Sequence, residues 1–531
     1  MNSQLLLDCT LRDGGFVNDW NFGLGSIKSI ISRLDYAGVD IIEVGFIDER
    51  RTYDENRSIF PDTESIKPIF KTISKPKSII VGMIDYGTCD IEKISNQSES
   101  CLDGIRVIFK KDDQDKALEY LLKIKNKGYK IFINPVSITS YDNNEISVLI
   151  EKINKVEPSA VSIVDTYGLM HSKELLEYFE IFNNKLNKEI ILGYHAHNNF
   201  QMAYANSITL MNKSFDRQLC IDSSLFGMGK SAGNVCTELL AMYMNESSGR
   251  EFNIHQIQEA IDVDILKEYE KKTWGYNFEY YISALNDCHP SYVQYLLEKK
   301  TLSVKSINEI LEKIINNKKL SYNKILIEKL YNEYQDHYCD DIEDVELLKN
   351  EIINKKILLL GPGKTLHDNF NLIDSYIKNN NPVIISINFL NDSFPIDFVF
   401  MGNAKRYSQF FHKIYGEDIK VKIICTSNIT EAGMKIDYML NYSTLLADDP
   451  VIRDNPLIMF IKLLKNIGIK ELYLAGFDGY SQDNAINYYG DYVRFLYCQD
   501  NVILRNEAIK MELLKYSKYI SISSLTPTRY L

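Results

Sequence analysis

GIRVIFKKDDQDKALEYLLKIKNKGYKIFINPVS, residues 104–137, is the stretch whose reading decides the fold. GIRVIFK at 104 is a short β-rich apolar run, and YKIFINPVS at 129 is another. Between them DKALEYLLKIKNKG (115–128) carries apolar residues at helical spacing and stops at a glycine. The unit is therefore strand, helix, strand. Working outward, the same unit recurs through the first 225 residues, with runs LLLDCT at 5, DIIEVGF at 40, SIIVGMID at 78, AVSIVDTYG at 160, EIILGYHAH at 189 and QLCIDSSLFG at 218. Eight such repeats over about 250 residues predict an α/β chain opening with a (β/α)8 TIM barrel, whose chemistry sits at the carboxyl ends of the strands.

From about residue 250 to 350 the chain turns helical and charged, as in SVKSINEILEKIINNKK and EDVELLKNEIINKK. These Asn/Lys runs read as compositional bias and solvated helix faces rather than a binding patch. A new strand, KKILLLG, opens at 355, and NPVIISINF (381), PIDFVFMG (395), KVKIICTSN (420) and KELYLAGFD (470) follow at spacings suited to βα units. The expected organisation is a barrel over 1–250, a helical extension and linker over 251–353, and a second, doubly wound (Rossmann-like) α/β domain over 354–531.

At 531 residues the chain is too long for one small module, and 45% hydrophobic with 25% charged residues fits a folded globular protein rather than a disordered one. Acidic residues outnumber basic ones, 72 to 60, without a dense basic stripe, which argues against a nucleic-acid partner. The nine cysteines (9, 89, 101, 220, 236, 288, 339, 425 and 498) are odd in number, scattered and free of any CxxC pair, so neither a disulfide framework nor a zinc ribbon is expected. No run approaches the roughly 18 apolar residues of a spanning helix. MNSQLLLDCTLRD lacks the basic start and long apolar stretch of a signal peptide, so a cytoplasmic protein without a membrane partner is expected.

Asp13, Glu43, Asp85, Asn134, Asp165, His195 and His197 lie at or just past the ends of the eight runs, where a barrel brings them to one mouth. Polar residues commonly follow strands, which accounts for any one of these but poorly for the repetition. In YHAHNN the period of two aims His195 and His197 to the same side. Asp13 after the first strand and Asn234 in GKSAGN after the eighth would converge on them from neighbouring staves. Two nitrogens with one or two oxygens and water suit Mg²⁺, Mn²⁺, Co²⁺ or Zn²⁺, with Mn²⁺ or Mg²⁺ the leading expectation.

One carboxylate against a divalent ion leaves about one positive charge in excess, and Arg12 adds another, so the site calls for an anion. A 2-keto acid could chelate the ion while metal and guanidinium stabilise an enolate formed at C3. Arg12 could instead form a structural ion pair with Glu43 or Asp165.

LDCTLRDGG (7–15), HAHNN (195–199) and SLFGMGKSAGN (224–234), in this order and at these strand ends, resemble the DRE-TIM metallolyase superfamily, which includes 4-hydroxy-2-oxovalerate aldolase, 3-hydroxy-3-methylglutaryl-CoA lyase and the isopropylmalate synthases. The likeness covers roughly residues 4–300. It implies metal ligation by Asp13, His195, His197 and Asn234, enolate stabilisation by Arg12, and a grip on the substrate carboxylate by Thr166. The chain departs from the pattern in two places. Gly14, Gly15, Phe16 and Val17 stand where the aldolases carry a catalytic histidine, and Gly227, Met228, Gly229 and Lys230 stand where the lyases carry a catalytic cysteine. The acid/base is then a metal-bound water or one of Glu43, Tyr141, Tyr276 and Tyr280. The last two lie in WGYNFEYYISAL (274–285), which resembles the aldolases' tyrosine-bearing segment but equally reads as an aromatic helix packed under the rim. DGGFVNDWNF (13–22) could form a lid or substrate wall. Lys230 could bind a phosphate or carboxylate on the acceptor, or be solvated, and Asn134 is a further candidate for the substrate.

In the second domain LLLGPGKTLHD (358–368) places glycines at a helix start, where free N–H groups can hold a phosphate, although it matches neither a dinucleotide-binding nor a Walker loop. Its strand rhythm is similar to MptE-like pyrophosphokinases and sialyltransferase-like folds. That likeness implies a nucleotide or sugar-phosphate pocket lined by Gly361, Gly363, Lys364, Asn388, Asn403 and Asp478, against the alternative of a degenerate docking domain.

The leading expectation is a divalent-metal-dependent aldolase or lyase acting on a small 2-keto acid and an aldehyde through a pyruvate enolate. The fused domain points by fold analogy to unusual sugar or surface-polysaccharide synthesis, and association into a homodimer is a prior for barrel aldolases. The rivals are a Claisen-type acyl-CoA condensing enzyme and a metal-stabilised scaffold whose C-terminal domain is a transferase or binding module.

Overall fold

Eight parallel strands close on themselves in the first half of the chain: β1 (Gln4–Asp8), β2 (Ile41–Ile47), β4 (Ile79–Asp85), β5 (Gly104–Phe109), β6 (Lys130–Pro135), β7 (Ala160–Asp165), β8 (Ile191–Ala196) and β9 (Leu219–Ser223). Each of the eight apolar runs is one of them. Closure is made by β1, which pairs with β9 from Gln4↔Leu219 to Asp8↔Ser223 and with β2 at Leu7↔Ile41 and Asp8↔Ile42. The computed structural model describes residues 4–531 apart from 320, 415–419, 431, 432, 434, 483–486 and 491–500.

The repeat that decides the fold shows how each unit is built. The helix Gln114–Asn126 turns Ala117, Leu118, Leu121 and Ile124 inward, and Gly128 follows at φ +94°, a conformation that frees the chain to turn into β6. The next helix, Asn143–Val156, begins on a capping box in which the Asp142 carboxylate accepts from the Asn144 and Glu145 N–H groups and Glu145 accepts from Asp142 N–H. Such a cap contributes about 1 kcal/mol, less than the roughly 1.5–3 kcal/mol from burying each of Ile146, Leu149, Ile150 and Ile153 against the strands.

One short strand was not expected: β3 (Ile59–Phe60) pairs outside β2 at Phe46↔Ile59 and Ile47↔Phe60. It closes the loop that carries Ser58 and depends on Gly45, at φ +146°, because a Cβ there would overlap the Ser58 backbone.

Contacts divide the chain into Met1–Pro290 and Ser291–Leu531. Residues 251–290 thus belong with the barrel, and the helices from residue 291 belong with the second sheet. That sheet is parallel, in the order β14–β13–β12–β11–β10–β15–β16, with β10 (Ile357–Leu360), β11 (Val383–Ile387), β12 (Phe398–Met401), β13 (Lys422–Thr426), β14 (Tyr438–Leu440), β15 (Glu471–Ala475) and β16 (Ser521–Ser524). Five of these were legible. The two missed, β14 and β16, are the edge strands, three and four residues long, and SISS is half exposed and lacks an apolar run. The eight described cysteines are free thiols, and Cys498 lies outside the described residues. Among the described residues no helix is long and apolar enough to cross a membrane.

Candidate metal centre

The chain leaves β1 into a single helical turn, Thr10–Asp13, whose four residues are all buried. This turn places Asp13 over the carboxyl end of the barrel, beside His195 in β8 and His197 just beyond it. One ligand atom from each of Asp13, His195 and His197 lies within 4.8 Å of the other two. The imidazole centroids are 5.3 Å apart with planes at 86°. His197 and Asn234 pair through an isolated backbone bridge, which brings the segment after β9 onto the same site.

Polar contacts hold each group. Asp13 Oδ1 accepts from Arg12 Nη1 at 2.6 Å, and Oδ2 accepts from Asn234 Nδ2 at 2.6 Å and from the Lys230 N–H at 3.3 Å. Asn234 spends its amino group on Asp13 while its Oδ1 is buried with no partner. A buried amide oxygen without a donor is costly, and a cation at this place would satisfy it. The residues present therefore fit a divalent ion: two imidazoles, one carboxylate and one orphaned amide oxygen. Gly229 is obligatory beside them, because a Cβ there would stand 2.6 Å from Asp13 Oδ2 and collide with the Asn234 amide.

Electrostatics prepare the ligands for metal. Burial alone would raise the Asp13 carboxyl, but Arg12, His197, His195 and the Asn234 hydrogen bond outweigh it and hold the group below the ordinary carboxylate range. His197 is pushed down to about 4, chiefly by burial, so its imidazole is neutral near pH 7 with a lone pair available. Arg12 keeps its proton: burial opposes the charge, and Glu43 and Asp13 more than compensate.

Sequence reasoning missed the residues beneath. Arg106 of β5 is 1% exposed and donates across the barrel interior to Asp222 of β9, with its other arm 3.3 Å from Glu43 of β2. Glu43 in turn accepts from Arg12 Nε at 2.7 Å, and Asp222 Oδ2 lies 3.0 Å from His195 Nδ1. A continuous line of charge thus runs Asp13–Arg12–Glu43–Arg106–Asp222–His195. Two arginines against three carboxylates leave one net negative charge, and a divalent ion would make the cluster net positive and receptive to an anion. The available signal was a charged residue inside each of two otherwise apolar parallel strands, GIRVIF and LCIDS.

A cavity of about 450 Å³ opens onto this cluster, and Arg12, Asp13, His195, His197, Asn134, Thr166 and Lys230 all line it. Its remaining wall is apolar, from Phe16, Phe46, Met83, Ile108, Val136 and Val164. Of the aromatics in the segment 13–22, offered as a lid or substrate wall, Phe16 lines the cavity while Trp20 and Phe22 do not. Phe16 stands edge-on to Trp20 at 4.9 Å, Trp20 Nε1 donates to the Arg12 carbonyl at 2.8 Å, and Arg12 lies 5.8 Å over Phe46. The Thr166 hydroxyl accepts from the Ser137 N–H at 2.7 Å, which leaves its proton free to donate. Asn134 Oδ1 is buried without a partner. Lys230 Nζ sits 5.5 Å from the Phe16 centroid, and burial pulls its ammonium below the ordinary range against the opposing pull of Asp13 and Asp85.

Four expected acid/base candidates fall elsewhere. Glu43 is fully buried behind Arg12, with its oxygens turned to Arg12 and Arg106 and none lining the cavity, so it serves as an ion-pair partner. Tyr276 is 53% exposed, and Tyr280, in the helix Phe278–Leu285, is partly buried away from the cavity lining. Tyr141 is buried and also absent from it.

The phosphate seat expected at the second domain's glycine loop is also corrected. The Thr365 N–H and hydroxyl both donate to the Asp478 carboxylate, which caps the five-residue helix Lys364–Asp368. Gly361 and Gly363 spend their N–H groups on Ala475 and Gly476 carbonyls, and Lys364 is exposed. Gly363, Asn388 and Asp478 do line a cavity, whereas Asn403 caps the helix Ala404–Gln409 and faces a neighbouring one.

Comparison with known proteins adds three findings. The HMGL-like family model matches residues 4–270. Oxaloacetate decarboxylase of Mycobacterium tuberculosis is 21% identical over 309 residues, 57% of this chain and 89% of the relative, and 4-hydroxy-2-oxovalerate aldolase of Geobacillus genomosp. 3 is 25% identical over 243 residues, 45% and 70%. Among solved structures, the N-terminal domain of a Bacteroides vulgatus protein described as an aldolase is 26% identical, covering 57% of this chain and 99% of its own, with a TM-score of 0.49.

Proposed function

The chain belongs to the HMGL-like family through residues 4–270, and from that premise we propose that its barrel is a divalent-metal-dependent lyase that makes or breaks a carbon–carbon bond beside a 2-keto acid. The observation that carries this reading is the meeting of Asp13, His195 and His197 with Arg12 on one cavity wall. Relatives named for oxaloacetate decarboxylation and 4-hydroxy-2-oxovalerate cleavage, both reactions of 2-keto acids, support it.

Asp13, His195 and His197 would hold the ion, with Asn234 Oδ1 as a further oxygen donor. A bound divalent ion supplies Lewis-acid polarisation of the substrate's keto oxygen. Arg12, fixed from behind by Glu43 and from the side by Asp13, presents its guanidinium to the cavity, where it stabilises the oxyanion of the enolate. The Thr166 hydroxyl donates to the substrate carboxylate. Phe16, Phe46 and Met83 exclude water from the other reacting half. With Glu43, Tyr141, Tyr276 and Tyr280 away from the cavity, Lys230 stands on its wall as a proton-carrying side chain. Its burial lowers the cost of giving up a proton, so the amine takes the C3 proton as the enolate forms and returns it to the aldehyde oxygen as the carbon–carbon bond closes, and cleavage runs the two transfers in reverse.

The reading is tested by incubating 4-hydroxy-2-oxo acids with Mn²⁺-loaded protein and following 2-keto acid release with a coupled dehydrogenase. Release abolished by chelation and restored by metal supports it. Turnover of acyl-CoA thioesters instead would move the chemistry to a Claisen-type condensation.

A further inference from the structure

The chain has two tryptophans, Trp20 and Trp274, and each spends its indole N–H on a loop of the metal centre. Trp20 donates to the Arg12 carbonyl at 2.8 Å, and Trp274 donates to the Phe226 carbonyl at 2.9 Å. The first carbonyl lies in the turn that carries Arg12 and Asp13, and the second opens the loop that carries Lys230 and Asn234. In the segment 274–285, singled out for its tyrosines, it is the tryptophan that reaches the framework of the site.

Both loops draw on a donor from outside. A single helical turn cannot satisfy its own last carbonyls. Thr10 O accepts the Gly14 N–H, whereas Leu11 O is met by the Ser58 hydroxyl at 2.5 Å and Arg12 O by Trp20. The indole reaches back because Asp19 and Trp20 stand at φ +53° and +59°, and because Gly15 leaves room, a Cβ there falling 2.0 Å from the ring. In the other loop Phe226 is held at φ +52°, a conformation that bulky side chains rarely adopt. Its N–H donates to Glu238 Oε2 at 3.1 Å, and its ring stands edge-on to Tyr269 and Trp274, with centroids 5.3 and 6.2 Å away. From there contact runs directly to a side chain of the centre. Gly227 O accepts the Asn234 N–H at 3.1 Å, and a Cβ on Gly233 would fall 2.0 Å from the same oxygen. The two loops also pack together, since a Cβ on Gly14 would stand 3.1 Å from the Met228 sulfur.

We propose that Trp20 and Trp274 are positioning residues of the metal centre, whose indole N–H groups fix the backbone that presents Arg12 and Asp13 on one side and Lys230 and Asn234 on the other. The inference rests on the reading that these side chains surround a divalent ion. Neither indole lines the cavity, so each acts only through the loop it holds. Without the N–H, a loop held in a strained conformation relaxes, and its ligands no longer stand ready for the ion.

The test is calorimetric titration of the full-length protein with Mn²⁺, beside urea unfolding of the metal-free form. Trp274→Phe keeps an aromatic ring against Tyr269 and Phe226 but removes the N–H, and should weaken Mn²⁺ binding about tenfold. Trp20→Phe should do the same, and the half-buried Trp274 keeps the test available should the buried Trp20 be needed for folding. Tyr276→Phe, in the same segment, should leave the affinity within about twofold. Protein labelled with 5-fluorotryptophan should give one fluorine NMR resonance per indole, and both should shift as Mg²⁺ saturates the site. Variants that unfold at lower urea yet bind Mn²⁺ as tightly as the unmodified protein overturn the inference and leave the metal reading intact. So do fluorine resonances unmoved by saturating Mg²⁺, or Tyr276→Phe costing as much as Trp274→Phe. Unmodified protein that binds no Mn²⁺ at millimolar concentration overturns the metal reading and this inference with it.

Discussion

His195 Nδ1 lies 3.0 Å from Asp222 Oδ2, a carboxylate on the neighbouring strand that is itself fixed by Arg106. The contact sets a buried negative charge beside one ring nitrogen of His195 and leaves Nε2 as the other nitrogen that could hold a metal. Losing such an outer partner typically costs about 10–100-fold in metal affinity or activity.

Asp222→Asn should therefore weaken Mn²⁺ binding by about 10–100-fold while the fold persists, because the amide keeps the shape and one acceptor. Removing Arg106 outright is a different matter. Arg106→Met leaves Glu43 and Asp222 buried with one cation fewer and should cost about 3–5 kcal/mol in urea unfolding.

Arg12 and Tyr276 give opposite expectations for turnover. Arg12→Lys loses the planar guanidinium that spans Glu43, Asp13 and the cavity, and should lower kcat by about 10²–10³. Tyr276→Phe alters an exposed side chain off the cavity and should leave kcat within about twofold.

In metal-free protein the contribution of His197 to stability should fall as pH falls, whereas Asp8 and Asp165, raised by burial to about 6 and about 7, act in the opposite sense. The His197 imidazole has a folded-state value of about 4 against an ordinary 6.5, so the unfolded chain takes up a proton before the folded one does. Its contribution is fully present above 6.5 and declines by about 1.4 kcal/mol per pH unit down to the folded value. Saturating metal should steepen the decline, since protons then also displace the ion. Urea midpoints from pH 7 to pH 4.5, compared between the unmodified protein and His197→Gln, with and without metal, measure both.

Two glycines should respond in opposite senses to alanine. Gly229→Ala drives a methyl into Asp13 and Asn234 and should abolish tight metal binding. Gly25, in the helix Leu24–Ala37, has open space where an added methyl group would stand, with no atom within 4 Å, and should gain about 0.5–1 kcal/mol from the same change.

The barrel was legible because its strands are nearly continuous apolar runs, most of them followed by a helix although only short turns join β4 to β5, and because a closed sheet gathers the residues after its strands at one mouth. That local pattern sufficed for Asp13, His195, His197 and Asn234. It did not suffice for Arg106 and Asp222, whose pairing crosses 116 positions of sequence and is visible only once β5 and β9 face each other across the barrel. Tyr276 and Tyr280 were drawn in by resemblance of their segment, whereas side-chain direction is set by how the helix Phe278–Leu285 packs. The glycine loop at 361 read as a phosphate seat because its filler, Asp478, lies 113 positions beyond Thr365.

The central claim is enolate chemistry at the barrel mouth. It is tested most directly by proton exchange at the pyruvate methyl group, followed by NMR in D₂O with Mg²⁺, comparing the unmodified protein with Arg12→Ala and His195→Ala. The account predicts metal-dependent loss of the methyl signal in the unmodified protein and none in either variant. Stoichiometric metal binding without exchange of pyruvate or 2-oxobutyrate, or exchange that survives both substitutions, would contradict it.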